Sequence, residues 1–193
     1  GYRLGHDRIF DHMMLDGLED AYEPGRSMGT FGEDCAAKYQ FTREQQDAFA
    51  TASVQRAKAA TESGAFAAEI VPVTVKTRAG ETVISVDEGP GKVKLEKIAT
   101  LKPAFKKDGT ITAASSSSIN DGAAALVMMR ESTAKKLGAK PLARIVSHAT
   151  HAQEPEWFAT APLGATQKAL AKAGWQVGDV QLWEINEAFA VVP

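Results

Sequence analysis

The 193 residues include one cysteine and four histidines, and no apolar run approaches the roughly 18 to 20 residues that would span a bilayer. A single cysteine forms no internal disulfide, so a reducing cytoplasm is the expected compartment. Cys35, His6, His12, His148 and His151 are scattered without zinc-type spacing, and no metal site is expected. Neither charge sign dominates: 22 Lys and Arg against 24 Asp and Glu leave a net charge of −2. A dedicated nucleic-acid binder carries a basic excess, so nucleic acid is not an expected partner. Nor is a membrane, for want of a spanning run, and Gly1-Tyr2-Arg3-Leu4-Gly5-His6-Asp7 has neither the apolar core nor the small-residue cleavage site of a signal peptide. What is there is ordinary for a globular chain, 44% hydrophobic and 24% charged, and long enough to bury a core.

The front of the chain reads as helical. Residues 11–22 mix Met13, Met14, Leu15 and Leu18 with acids and stop before Pro24-Gly25. Residues 28–39 form a second, short helix. Thr42-Arg43-Glu44-Gln45 is a capping-box pattern, because the Thr hydroxyl and the Gln side chain exchange hydrogen bonds with the first free amides. It opens an Ala-rich helix that reaches about Glu62 and ends at Ser63-Gly64. Residues 69–77, with Ile70, Val71, Val73 and Val75, read as a strand, and residues 82–86 as its return. Residues 87–109 read as surface connections around a short helix at 95–101.

Beyond Gly109 the texture changes. Residues 110–113, 123–129, 142–150 and 180–185 are expected strands; residues 131–137 and 162–173 are helices closed by Gly138 and Gly174. The alternation predicts an α/β fold of layered architecture, preceded by a mostly helical excursion with a small hairpin. A parallel layer needs more than these strands, and a helix is expected to begin at Ala188, so the chain is expected to be a fragment of a larger protein.

Trp183-Glu184-Ile185-Asn186-Glu187-Ala188-Phe189 is the most informative stretch. A strand-like apolar run ends in Asn-Glu, which delivers a polar pair to the end of a buried element. A neutral amide there can orient a substrate oxygen or a water through its donor and acceptor together. The alternative for Asn186 is a cap on the helix beginning at Ala188.

The segment Gly109-Thr110-Ile111-Thr112-Ala113-Ala114-Ser115-Ser116-Ser117-Ser118-Ile119-Asn120-Asp121-Gly122-Ala123-Ala124-Ala125-Leu126-Val127 resembles a hallmark of the thiolases, the family of acetyl-CoA acetyltransferases and 3-ketoacyl-CoA thiolases. Asp16-Gly17-Leu18 followed by Met28-Gly29 resembles the opening of that family's loop domain. Pro141-Leu142-Ala143-Arg144-Ile145-Val146 through Asn186-Glu187-Ala188-Phe189 resembles the first part of its C-terminal half. The match is collinear over essentially the whole chain. It implies the thiolase layered α/β/α fold, with residues 1–109 as the CoA-binding loop domain. Residues 110–138 would then be the last part of the N-terminal core domain, and 139–193 the first, truncated part of the C-terminal core domain.

The resemblance also implies an acyltransferase. Two acyl-CoA molecules are condensed, or a 3-ketoacyl-CoA is cleaved, through a cysteine acyl-enzyme. The family's nucleophilic cysteine, its histidine and its second cysteine lie in segments absent here, so the 193 residues alone are expected to be inactive. Cys35, in Gly32-Glu33-Asp34-Cys35, has acidic neighbours that disfavour a thiolate and reads as a packed helical residue. Asn186 matches the asparagine that holds a water against the thioester oxygen as it becomes negative. Glu187 is expected to support the loop.

By the same resemblance Leu18, Met28, Ala104, Phe105, Ala113, Ser117 and Ile119 line the coenzyme A tunnel. Their types suit a pantetheine arm, which is slim and mostly apolar, and the Ser117 hydroxyl is expected to bond one of its amides. Ala188 and Phe189 would close the acyl end, although Phe189 fits a core position equally well. Phe158 stands where the family usually has methionine, beside the acyl group. The coenzyme A thioester is substrate, so no cofactor is expected.

Two departures bear on acyl-chain preference. Ser27 stands where acetyl-specific members often have histidine, and Ala114-Ser115-Ser116-Ser117-Ser118 replaces Gly-Asn-Ala-Ser-Gly. Lys92 and Lys94 are candidates for the CoA phosphates and equally for plain solvent exposure. Residues 1–12 correspond to the neighbourhood of the loop that joins thiolase dimers into tetramers, so a homo-oligomer, dimer or tetramer, is expected. The competing reading is a non-catalytic thiolase-like carrier of acyl-CoA or lipid.

Overall fold

The computed structural model describes residues 3–193. They fall into two compact units. One takes in the described residues up to Ser117 together with Glu187–Pro193, and the other is Ser118–Asn186.

The first unit is built on two helices, α1 (Met28–Tyr39) and α2 (Arg43–Glu62). Gly29, Phe31, Gly32, Glu33, Cys35 and Ala36 form the buried stripe of α1, at the three- and four-residue spacing a helix face requires. Gln40 ends the helix in the left-handed region at φ 59°, and Phe41 N–H reaches back to the carbonyl of Ala36 at 2.9 Å. The capping box expected at Thr42 is present. Thr42 Oγ1 accepts from the Gln45 amide at 3.2 Å, and Gln45 Oε1 accepts from the Thr42 amide at 2.9 Å. Arg43, at the start of α2, pairs with Asp47 at 2.8 Å and donates to the carbonyls of Ile98 and Leu101 at 3.1 and 2.9 Å. The guanidinium thereby fastens the 3-10 turn Leu95–Thr100, which stands where a short helix was expected.

A two-stranded antiparallel hairpin follows α2, β1 (Val73–Thr77) paired with β2 (Gly80–Ile84) in the register Val73 to Ile84 and Thr77 to Gly80. β1 is shorter than the 69–77 run suggested, because residues 66–70 close onto the end of α2 as turns: Glu69 and Ile70 N–H both reach the Phe66 carbonyl; β2 keeps the expected length and starts two residues before 82–86. A five-residue helix, α3 (Glu88–Lys92), leads into the connection held by Arg43. Near the front, the helix expected over residues 11–22 contracts to one wide turn, Met14–Leu18. Met13 and Leu15 are exposed there, and a short helix without a covered apolar face is marginal in water.

The second unit holds α4 (Glu131–Leu137) and α5 (Ala161–Ala173), closed at Gly138 and Gly174 by left-handed glycines as the sequence indicates. Residues 147–150 run along α5: Ser147 Oγ donates to the carbonyl of Ala169 at 2.8 Å, and Lys172 Nζ to that of His148 at 2.9 Å. The strands expected at 123–129, 142–150 and 180–185 carry no ladder among the described residues. A strand exists through its partner's hydrogen bonds, and these segments have none here. Leu126 and Val127 are accordingly 83% and 89% exposed.

Candidate functional site

The serine run meets the end of the chain inside the first unit. Ser117 N–H donates to the carbonyl of Ala188 at 3.0 Å, Ala190 N–H donates to that of Ser115 at 2.9 Å, and Ser116 pairs antiparallel with Phe189. Segments 71 positions apart in sequence are thus clipped together.

The strand expected over residues 110–113 is a different object. Ile111 and Thr112 are fully buried, and Ala113–Ser115 is a 3-10 turn. The cause lies in the hydroxyls. Ser115 Oγ accepts from the Thr112 amide at 2.9 Å, Thr112 Oγ1 accepts from the Ala114 amide at 3.2 Å, and Ser116 Oγ donates to the Thr112 carbonyl at 2.8 Å. Side chains that satisfy the local backbone compete with a strand ladder and win here. Ser117 Oγ donates to the carbonyl of Glu187 at 2.8 Å. A hydroxyl has one proton, so towards any ligand Ser117 presents lone pairs.

Phe189 is buried and meets Phe105 edge-to-face, with ring centroids 5.7 Å apart and planes at 86°. Phe105 lies flat against the start of α1. A Cβ on Gly29 would fall 2.2 Å from the Phe105 ring, so only glycine admits this approach. Ala104 N–H donates to the carbonyl of Ile111 at 2.9 Å, closing the loop between the two arms. An isolated bridge joins Glu19 to Ser27 and sets Leu18 and Met28 beside it. Met28, Ala104, Phe105, Ala113, Ser117, Ala188 and Phe189 therefore sit on elements bonded or packed to one another, with Leu18 one bridge away. Ile119, Phe158 and Asn186 belong to the second unit. Ile119 and Asn186 are exposed, and Phe158 is half-buried in the 3-10 turn Pro155–Thr160.

Asn186 has no helix to cap. Residues after Ala188 form the pairing with Ser116 and then a turn in which Val192 N–H reaches the Phe189 carbonyl at 3.0 Å. Its amide makes no hydrogen bond with the described residues. Glu187 is tied to α2, its Oε2 accepting from Ser53 Oγ at 2.7 Å. Lys92 Nζ faces Glu88 at 3.6 Å on the exposed α3.

Cys35 is buried on α1, and burial pushes its thiol up, partly offset by Lys38. The cause is desolvation, not the acidic neighbours expected from the sequence to disfavour the thiolate. Two residues escaped the sequence reading. Glu33 is a carboxylate placed on the apolar stripe of α1, and that misplacement was the available signal. Gln153 bonds His151, the Trp157 carbonyl and Thr160 Oγ1, holding the turn that carries Phe158. A glutamine in a polar stretch announces nothing of the kind.

Two family models cover the chain: the thiolase N-terminal domain matches residues 1–132 and the thiolase C-terminal domain residues 139–193. The chain belongs to the thiolase family. It is 48% identical over 191 residues to the acetyl-CoA acetyltransferase of Paracoccus denitrificans, covering 98% of this chain and 49% of that protein. It is 50% identical over 193 residues to a probable acetyl-CoA acetyltransferase of Dictyostelium discoideum, covering 100% and 46%. The solved acetyl-CoA acetyltransferase of Bacillus anthracis superposes with a TM-score of 0.88 at 44% identity, over 99% of this chain and 48% of that one. That of Syntrophomonas wolfei gives 0.86 at 41%, with the same coverage. The α/β class expected from the sequence is thus the class of the fold. The chain spans about half the length of the curated relatives it matches.

Proposed function

We propose that these residues form part of an acetyl-CoA acetyltransferase, and that the clip between Ser115–Ser117 and Ala188–Ala190 is a wall of its thioester cleft. The observation carrying this reading is that one pairing gathers Ser117, Ala188 and Phe189, with Phe105 packed on it. By resemblance Ser117 and Phe105 belong to the coenzyme A tunnel, and Ala188 and Phe189 to the acyl end of the same pocket. The relatives named above bear a transferase's name, which supports an enzyme; none favours the carrier.

In the proposed reaction a cysteine thiolate outside residues 1–193 attacks the thioester carbonyl, and coenzyme A leaves with a proton from a second cysteine, also outside these residues, whose thiolate then takes the methyl proton of the next acetyl-CoA. A second acetyl-CoA, deprotonated at its methyl carbon, then attacks the enzyme thioester, forms the new carbon–carbon bond and expels the thiolate. Asn186 orients a water that stabilises the oxygen as it gains charge. Ser117 accepts a hydrogen bond from a pantetheine N–H, because its own proton is engaged by the Glu187 carbonyl. Met28, Leu18, Ala104, Phe105, Ala113 and Ile119 line the arm, and Ala188, Phe189 and Phe158 border the acyl group. Residues 1–109 act as the loop domain, 110–138 complete the N-terminal core domain and 139–193 begin the C-terminal one.

No further cofactor takes part in this reading, and the enzyme works in the cytoplasm as a dimer or tetramer. Among the described residues no helix is long and apolar enough to cross a membrane. Residues 1 and 2, at the head of the segment assigned to subunit contact, lie outside the described residues.

The test is Asn186→Ala in the full-length gene product. Loss of one such donor is expected to lower kcat by about 10² to 10³. A loss below about tenfold on that scale removes Asn186 from the mechanism.

A further inference from the structure

We propose that Glu33 is a positioning residue for the coenzyme A wall, acting through the backbone of Thr110 and Ile111. The proposal rests on the thiolase reading above and goes beyond it by naming what holds the wall in place.

Glu33 lies in the middle of α1 and is 4% exposed. Its carboxylate meets only donors. Oε1 accepts from Ile111 N–H at 2.8 Å, both oxygens lie 2.9 Å from Thr110 N, and Oε2 accepts from Thr110 Oγ1 at 3.0 Å. The direction of that last bond is determined. Gln46 Nε2, on α2, donates to Thr110 Oγ1 at 2.8 Å, so the single hydroxyl proton of Thr110 points to Glu33. A chain of bonds therefore runs from α2 through Thr110 to α1. Gly109 completes the seat, since a Cβ there would fall 2.3 Å from Glu33 Oε1.

What hangs on this seat is the wall itself. Ile111 receives Ala104 N–H at its carbonyl, which sets the arm carrying Ala104 and Phe105. On the other side Thr112 opens the capped turn Ala113–Ser115, which runs on into Ser117 and its pairing with Ala188. One carboxylate thus holds the common base of both arms. Charge-assisted bonds to backbone amides are stronger than neutral ones and aim the peptide planes. Glutamine cannot replace the group, because its NH2 would confront N–H donors and leave buried groups unsatisfied. Aspartate keeps the acceptors and loses the reach of one methylene.

The experiment uses the full-length gene product and reads kcat, KM for acetyl-CoA, the Kd of coenzyme A by calorimetry, and the melting temperature. Glu33→Gln is expected to raise KM and Kd by about tenfold with kcat changed by less than about threefold, the signature of lost ground-state binding. Glu33→Asp should fall between wild type and Glu33→Gln. Cys35→Ala is the control. It loosens the same buried stripe without removing a hydrogen bond to residues 110 and 111, and should lower the melting temperature while leaving KM within about twofold.

If Glu33→Gln fails to fold, Thr110→Val carries the test: it removes the hydroxyl relay and keeps both backbone bonds. Its KM should rise by about threefold, and Thr110→Ser should restore it. Unchanged KM and Kd in folded Glu33→Gln, equal rises in Cys35→Ala, or Thr110→Val matching Thr110→Ser would each overturn the role. A wild type that transfers acetyl groups and variants that bind coenzyme A normally would sink this inference alone. A wild type that neither turns over nor binds coenzyme A would sink it together with the thiolase reaction.

Discussion

The two units differ in how their apolar residues are covered. In the first, Phe31, Cys35, Ala36, Ala50, Ile98, Ile111, Phe189 and Val191 are buried. In the second only the small side chains of Ala134 and Ala159 are, while Leu126, Val127, Leu142, Ile145 and Leu182 stand exposed. The first unit is crossed by bonds between remote residues, such as Arg43 to Ile98, Glu33 to Thr110 and Ser117 to Ala188. The second is held over shorter separations, with Ser147 to Ala169 and Lys172 to His148 joining residues 22 and 24 positions apart. Burial follows from long-range pairing. Where pairing partners are lacking, an apolar strand sequence stays an extended chain.

Hydrogen exchange should separate the units most widely. In the 193-residue chain the amides of residues 123–129 are expected to exchange about 10³-fold faster than those of Ile111 and Ala190, which are bonded to Glu33 and Ser115. Equal protection would erase the distinction. In the full-length gene product the same seven amides are expected to become slow, as they would in a completed sheet.

Next in size is Gly29→Ala. The added methyl collides with Phe105, and the repacking should destabilise the first unit by about 1–3 kcal/mol in urea melts. Phe105→Ala in the same background should recover part of the loss; if Gly29→Ala alone melts like wild type, the close approach is unimportant.

Helix ends should treat the units alike. Thr42→Ala, which breaks the capping box of α2, and Gly174→Ala, which strains the C-terminus of α5 at φ +70°, are each expected to cost about 1 kcal/mol. A clear inequality would mean that the contrast between the units extends to local structure. The smallest effect concerns Cys35. Burial raises its thiol, so less thiolate is present at neutral pH, and the rate of alkylation by iodoacetamide should climb with pH and on unfolding. Labelling as rapid as that of a small free thiol at neutral pH would contradict its seat in the core.

The helices were legible because their signals are local. The periodicity of residues 28–39, the Thr42-Gln45 box, and the glycines at 138 and 174 each act within a turn or two of their own position. The helix expected at 11–22 failed for want of a covered face, and the four expected strands for want of ladders. The serine run, Ser115–Ser118, was legible only as a row of hydroxyls. That its hydroxyls cap a turn, and that Ser117 spends its proton on Glu187, depended on backbone geometry. Glu33 passed unnoticed because a carboxylate on a helix reads as solvated until the amides that face it are known.

Composition, motif order and local propensity by themselves determined the family, most of the helices and the residue types available to the proposed cleft. Only the tertiary structure decided which of those residues meet, which hydroxyls remain free to accept, and that a buried carboxylate holds the base of both arms. The physical reason is range. A helix closes its hydrogen bonds four residues away, whereas a clip, a ladder or a buried charge is satisfied by atoms that the chain delivers from far along its length.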